Sequence, residues 1–212
     1  MIYEMRTYDI RPGSMREAIK RFGEAYENRK KISELGAFWY TEIGPLNQLV
    51  YVWTYKDLAD RARARAAASK DPNWPPRLAQ FSAAQRSDIF IAVAGSPELK
   101  KGKVGPVFEM RTYALAPGEL PLVLENWQTA LPGRNALKPA CAVWYSDVGA
   151  LNKLVHIWPY ESFEQREEIR KKAFETGNWP PHVMAKKEGR PPCAYVAQDT
   201  KFLVAAEFSP IQ

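Results

Sequence analysis

Residues 2–10, Ile-Tyr-Glu-Met-Arg-Thr-Tyr-Asp-Ile, alternate in character, with Glu4, Arg6 and Tyr8 on one side and Tyr3, Met5 and Thr7 on the other. That period of two predicts a strand. The pattern returns at 107–115 as Val-Phe-Glu-Met-Arg-Thr-Tyr-Ala-Leu, and a Pro-Gly turn signal follows each run, at Pro12-Gly13 and Pro117-Gly118. A helical period then sets in. Met15, Ala18, Ile19, Phe22 and Ala25 form one stripe, Ser14 and Glu17 have capping-box spacing, and the helix is expected to end near Gly36. In the second half Leu122, Leu124, Trp127 and Leu131 keep the apolar character, but Pro132-Gly133 predicts an early break or kink.

Alternation resumes over Trp39 to Tyr55. Val50 and Val52 interleave with Leu49, Tyr51, Trp53 and Tyr55; in the copy, Val155 and Ile157 interleave with Leu154, His156, Trp158 and Tyr160. Two strands are predicted in each half, joined by a turn at Gly44-Pro45 or Gly149-Ala150. One strand face is aliphatic and the other aromatic and polar. If helices cover one side of the sheet, the aliphatic face suits them, which leaves the aromatic face for a second surface. A second helix starts at Asp57 or Ser162, both good N-caps, and ends at Asn73-Trp74-Pro75-Pro76 or Asn178-Trp179-Pro180-Pro181. A last strand is predicted at Asp88 to Val93.

Trp39 to Tyr55 and Trp144 to Tyr160 match at a constant spacing of 105 residues, with Trp, Tyr, Gly, Leu, Asn, Leu, Val, Trp and Tyr in step. The chain is therefore an internal duplication. Ser87 to Pro97 matches Thr200 to Pro210 at a spacing of 113, so the second copy carries eight extra residues, expected near Gly189 to Cys193. Each copy reads β-α-β-β-α-β, a ferredoxin-like unit within the α+β class. The expected division is 1–98 and 106–212, with the lysine- and glycine-rich stretch 99–105 as linker. Units of this size bury little core alone, so the two are expected to pack together.

The formal charge of +6 and pI near 9.2 come from Lys and Arg spread among Asp and Glu, not from a basic stripe, so no nucleic-acid partner is expected. No apolar run approaches the ~20 residues of a membrane helix. The strand pattern begins at Ile2, so no leader peptide is expected. Cys141 and Cys193 have no motif spacing, which fits a reducing compartment, and a cytoplasmic location is expected. With two histidines and no carboxylate pattern, neither a metal site nor a cofactor is expected. No phosphate loop, nucleophile elbow or GxGxxG occurs.

Several of these runs together resemble the NIPSNAP family: Tyr3-Glu4-Met5-Arg6-Thr7-Tyr8 with Pro12-Gly13, Leu154 to Tyr160, Arg166 with Arg170, and the closing Phe208-Ser209-Pro210-Ile211-Gln212. The resemblance covers both halves. It implies that two ferredoxin-like sheets close into one α+β barrel within the chain, a fold shared with small monooxygenases, haem-degrading enzymes and lactone isomerases. Animal members are mitochondrial proteins linked to vesicle traffic and mitophagy signalling. No transit peptide is expected here, which would set this chain apart from them, and a bacterial relative of uncharacterised function is expected.

In such a barrel the polar-aromatic faces would line the lumen: Glu4, Arg6, Tyr8, Tyr51 and Trp53, with Glu109, Arg111, Tyr113, His156 and Trp158. These residues are either a satisfied polar layer between sheets or the ligand-binding wall of an aromatic pocket. His156 and Tyr51 occupy equivalent places and are the candidates for moving protons. An axial haem role for His156 has no further support. Arg61/Arg65 and Arg166/Arg170 each share a helix face, either as solvated ion pairs (Arg166–Glu161, Arg170–Glu167) or as an anion site. Trp74 and Trp179 are expected to plug the barrel end. Two functions stay open: a lumen binding a small apolar or aromatic molecule, used as a cofactor-independent monooxygenase or isomerase, or a non-enzymatic adaptor. A homo-oligomer of these pseudo-dimeric chains is open as well, and whether the chain is an enzyme is not decided.

Overall fold

The computed structural model describes residues 1–212. Repeat one contributes β1 (Ile2–Ile10), α1 (Met15–Arg29), β2 (Leu35–Ile43), β3 (Gln48–Tyr55), α2 (Leu58–Ala68) and β4 (Ser82–Ala92). Repeat two contributes β5 (Val107–Leu115), α3 (Leu120–Leu137), β6 (Ala142–Val148), β7 (Lys153–Tyr160), α4 (Phe163–Glu175), α5 (Pro181–Lys187) and β8 (Tyr195–Ala205). The βαββαβ order holds in both, with α5 as an addition to repeat two. The strands close into one barrel in the order β1-β3-β2-β8-β5-β7-β6-β4. Its two seams are antiparallel and join the repeats, with Thr41 opposite Leu203 and Phe90 opposite Ser146. Each unit's edge strands thus find partners in the other unit, which removes the exposed edges a lone four-stranded sheet would carry.

All eight strands send side chains into the barrel: Tyr3 and Met5, Trp39, Val50 and Val52, Phe90, Phe108 and Met110, Trp144, Val155 and Ile157, and Leu203 form one cluster. Tyr3 stacks on Trp144 at 4.2 Å, tying repeat one to repeat two. This inverts the expected facing. The aliphatic face fills the lumen, and the face with Glu4, Arg6, Tyr8, Tyr51 and Trp53 lies under α1 and α2. Its copy with Glu109, Arg111, Tyr113, His156 and Trp158 lies under α3, α4 and α5. The physical reason is solvation. A narrow eight-stranded interior seals whatever it holds, whereas under the helices the Arg6 and Arg111 side chains stay about a fifth exposed while their carboxylate neighbours are buried.

Several local expectations also change. Ser14 occupies the N-cap of α1 but its side chain makes no capping bond; Glu17 accepts from Arg21 Nε at 2.7 Å instead. Asp57 and Ser162 do cap, accepting from the backbone N–H of Asp60 at 2.7 Å and of Gln165 at 3.2 Å. The α1 helix ends at Arg29, and β2 begins at Leu35, before the expected helix end. The α3 helix runs through Pro132 because Trp127, Ala130, Leu131 and Arg134 are all buried against the sheet. Segment 99–105 is held by the C-terminus: Gly102 bridges to Ile211, and Val104 N–H donates to the Gln212 carbonyl. No helix is long and apolar enough to cross a membrane.

Candidate functional site

Between each half-sheet and its helices lies a cleft, about 430 Å³ in repeat one and about 310 Å³ in repeat two. The two are built from equivalent residues. Arg6, Tyr8, Arg29, Tyr51, Trp53 and Arg65 stand in the first where Arg111, Tyr113, Arg134, His156, Trp158 and Arg170 stand in the second. The sequence-predicted site residues therefore fall into two groups, none in the lumen: Glu109, Arg111, Tyr113, His156 and Trp158 line one cleft and Arg6, Tyr8, Tyr51 and Trp53 the other, with Glu4 buried beside Arg6. Trp74 and Trp179 are cleft walls and not barrel plugs: Trp179 meets Trp127 at 5.3 Å and Trp158 at 5.9 Å, and Trp74 meets Trp53 at 5.8 Å.

The helix arginines do not pair along their own helices. Arg61, Arg65 and Arg166 reach across to the strand carboxylates instead. Glu4 Oε1 accepts from Arg6 Nε at 2.9 Å, Arg61 Nη2 at 2.8 Å and Ser87 Oγ at 2.8 Å, with Arg65 Nη1 at 3.7 Å. Burial alone would raise the Glu4 carboxyl. The Arg61 hydrogen bond, the Arg6 charge and Ser87 outweigh it and hold the carboxyl down at about 2.

Repeat two is wired differently. Glu109 Oε1 accepts from Arg166 Nη2 at 2.7 Å, while Arg111 Nε sits 3.9 Å away and donates to Thr200 Oγ1 at 3.0 Å. Thr200 stands where Ser87 ties Glu4, so one side-chain exchange moves an arginine off its carboxylate. Arg170 makes no ion pair within 4 Å. Arg134 is 3 % exposed, lies 3.9 Å over the Trp158 ring and donates to Tyr160 OH at 3.0 Å and to the Lys138 carbonyl at 3.2 Å. Three guanidiniums thus line a cleft that holds one carboxylate, and that carboxylate is already bound to Arg166. An arginine keeps its charge in such a place, and a buried charge without a counter-charge is costly.

His156 completes the wall. Trp158 Nε1, which can only donate, bonds to His156 Nδ1 at 2.7 Å. Burial, then the charges of Arg111, Arg134 and Arg170, press the imidazole pKa well below its ordinary value, so the ring is neutral. With Nδ1 accepting, the single proton sits on Nε2, which is buried without a protein partner. His156 is therefore a hydrogen-bond donor at neutral pH and not the base its residue type suggests. Tyr51 is 2 % exposed, and burial followed by the Tyr8 neighbour pushes its phenol pKa well up, so it too stays protonated.

The sequence pattern does not single out Arg29, Arg134 or Tyr195, and it marks Trp127 only as part of an apolar helix stripe. Arg29 and Arg134 fall at the same spacing of 105, inside the segment that diverges most between repeats, and that spacing was the available signal. Tyr195 OH accepts from Trp127 Nε1 at 2.9 Å and closes the cleft from β8. No group of three or more His, Cys, Asp or Glu side chains is placed to hold a metal.

The family model for NIPSNAP matches residues 3–97 and again 108–210. The human protein NipSnap homolog 3A is 30% identical over 221 residues, spanning 100% of this chain and 86% of its own length. The Drosophila melanogaster protein NipSnap is 28% identical, spanning 84% and 69%. Among solved structures, two proteins each named "putative monooxygenase" share the whole fold. The one from Fusobacterium nucleatum has a TM-score of 0.69 at 13% identity, over 96% of this chain and 91% of its own. The one from Lactobacillus acidophilus scores 0.66 at 11%, over 98% and 97%.

Proposed function

The chain belongs to the NIPSNAP family along both repeats, and from that premise we propose that it binds a small aromatic acid in the cleft of repeat two. One observation carries this reading: Arg134 and Arg170 line the cleft with no carboxylate within 4 Å, and Arg111 has only a 3.9 Å share of the Glu109 that Arg166 already holds, beside the unpartnered Nε2–H of His156. A carboxylate or phenolate supplies the missing counter-charge. Trp127, Trp158, Trp179 and Tyr113 supply flat apolar walls for the ring that carries it. Any chemistry here would work through these donors, which stabilise an enolate or phenolate forming on the ligand, and not through proton removal by His156. The fold shared with the two bacterial proteins supports an oxygenase or isomerase by analogy only.

The cleft of repeat one offers a second site. Arg29 Nε and Nη1 are buried there without partners. Arg6 and Arg65, however, are drawn to Glu4, so this site binds anions more weakly. Calorimetry with 4-hydroxybenzoate and 4-hydroxybenzamide tests the reading. The acid should bind at least tenfold more tightly, and Arg170→Ala should lower its affinity about tenfold, the loss of one charge-assisted hydrogen bond. Equal affinity for acid and amide would overturn the anionic-ligand reading.

A further inference from the structure

The barrel lumen carries a second chemistry, separate from both clefts. Its apolar plug stops short of one mouth, where the two repeats together enclose a cavity of about 290 Å³. Its polar wall is Gln48, Arg86, Asp88, Lys153, Asp199 and Lys201, and Met5 and Met110 form an apolar part. Two of the three cations here have carboxylate partners: Arg86 Nη2 with Asp9 at 2.9 Å, and Lys153 Nζ with Asp88 at 3.6 Å. Lys201 has none within 4 Å. Its Nζ donates to Gln48 Oε1 at 3.0 Å, and Gln48 Nε2 in turn donates to Asp9 at 2.7 Å.

The pseudo-symmetry shows how this arose. At the spacing of 113, Lys201 stands where repeat one has Asp88, and Asp88 accepts from the backbone N–H of Ala150 at 3.0 Å. The position equivalent to Ala150 is Pro45, which has no N–H to give. A carboxylate would lack its donor there, and the chain places an amine instead. Gly44 lets the turn close over it, since a Cβ at that residue would come within 2.9 Å of the Lys201 Cβ.

We propose that Lys201 is a carbonyl-reactive amine that takes a small aldehyde or ketone at the barrel mouth as a reversible imine. The neutral Nζ attacks the carbonyl carbon, and the oxygen takes up the proton released by nitrogen to give a carbinolamine. Loss of that hydroxyl with a second proton from nitrogen forms C=N and one water; addition of water reverses the step. Asp88 and Asp199 line the same cavity and can pass these protons. Burial, helped by Arg86 and Lys153 and opposed by Asp9 and Asp199, brings the Lys201 ammonium down to about 8. At neutral pH it therefore holds on the order of a hundredfold more free amine than a surface lysine. Lower intrinsic nucleophilicity offsets part of that gain, so a rate advantage of about tenfold is expected.

The test is competitive labelling of the full chain with limiting propanal and cyanoborohydride at pH 7.5, followed by peptide mapping to separate Lys201 from the Met1 α-amine and the other lysines. Lys201 should be alkylated about tenfold faster than the exposed lysines. Its rate should level off above pH 8 while theirs continue to climb. Lys201→Met should abolish this fast adduct. Because the decisive comparison is made within the wild-type chain, it does not depend on the variant folding. Alkylation of Lys201 at or below the surface rate, or a fast adduct that persists in Lys201→Met, would overturn the proposal.

Discussion

His156 shows how a residue's neighbours set its chemistry. As a lone histidine on a strand it reads as a base. Its neighbours make it a neutral donor, since Trp158 occupies Nδ1 and three arginines oppose a second proton. The depressed pKa has a sign that can be measured. Between the folded value and about 6.5 the unfolded chain binds the extra proton, so stability falls as pH drops below 6.5. The effect is read as a urea midpoint that falls between pH 7 and pH 5. His156→Gln, which leaves Trp158 an acceptor, should flatten the urea-midpoint profile over that range; a profile identical to wild type would mean the ring is not held neutral. Glu4 acts in a lower window. Its carboxylate, held at about 2, contributes fully above about 4.5 and loses that contribution as pH falls from 4.5 towards 2, about 3 kcal/mol in all. Glu4→Gln should remove that acid slope. Arg6→Met should cost only about 1 kcal/mol, since Arg61 and Ser87 still hold the carboxylate. Which arginine serves which carboxylate was not legible in sequence, because the contacts join residues 57 apart across a helix–strand layer.

At the scale of elements, alternation and the repeat made the strands readable, while helix ends were decided by packing. β1 and β5 span the residues their period of two marks out. In α3 the local signal at Pro132 argues for a stop, yet stopping there would leave Arg134 off Trp158 and Tyr160. Burial of Trp127, Ala130 and Leu131 on the same face outweighs the roughly 3 kcal/mol that an interior proline costs. Pro132 is itself exposed. Pro132→Ala should restore a bond to the Gln128 carbonyl and raise stability by about 1–2 kcal/mol, read from the thermal midpoint; a lower midpoint would show that the helix path depends on the proline. The α5 helix had no counterpart in repeat one, so the duplication that exposed everything else gave no cue to it.

For the whole molecule, duplication explains the barrel, and the barrel explains where a ligand can go. Ferredoxin-like topology was legible from element order. The facing of the sheets was not, because a face holding Val and Ile and a face holding Trp, Tyr, Glu and Arg can each serve as a core. Closure decides between them: a lumen filled from all eight strands takes apolar side chains along its length and leaves charges only at its mouth. The charged, aromatic faces then lie under the helices, where their guanidiniums keep a path to solvent. The seven tryptophans report on this division: Trp127, Trp158 and Trp179 line the cleft of repeat two, Trp53 and Trp74 that of repeat one, and Trp39 and Trp144 the lumen. The most direct measurement is therefore a titration of 15N-indole-labelled protein with 4-hydroxybenzoate, followed through the tryptophan side-chain resonances. The three of repeat two should shift first and furthest, those of repeat one only at higher ligand concentration, and Trp39 and Trp144 should stay in place. Shifts confined to Trp39 and Trp144, or none with any aromatic carboxylate, would contradict a site beneath the helices.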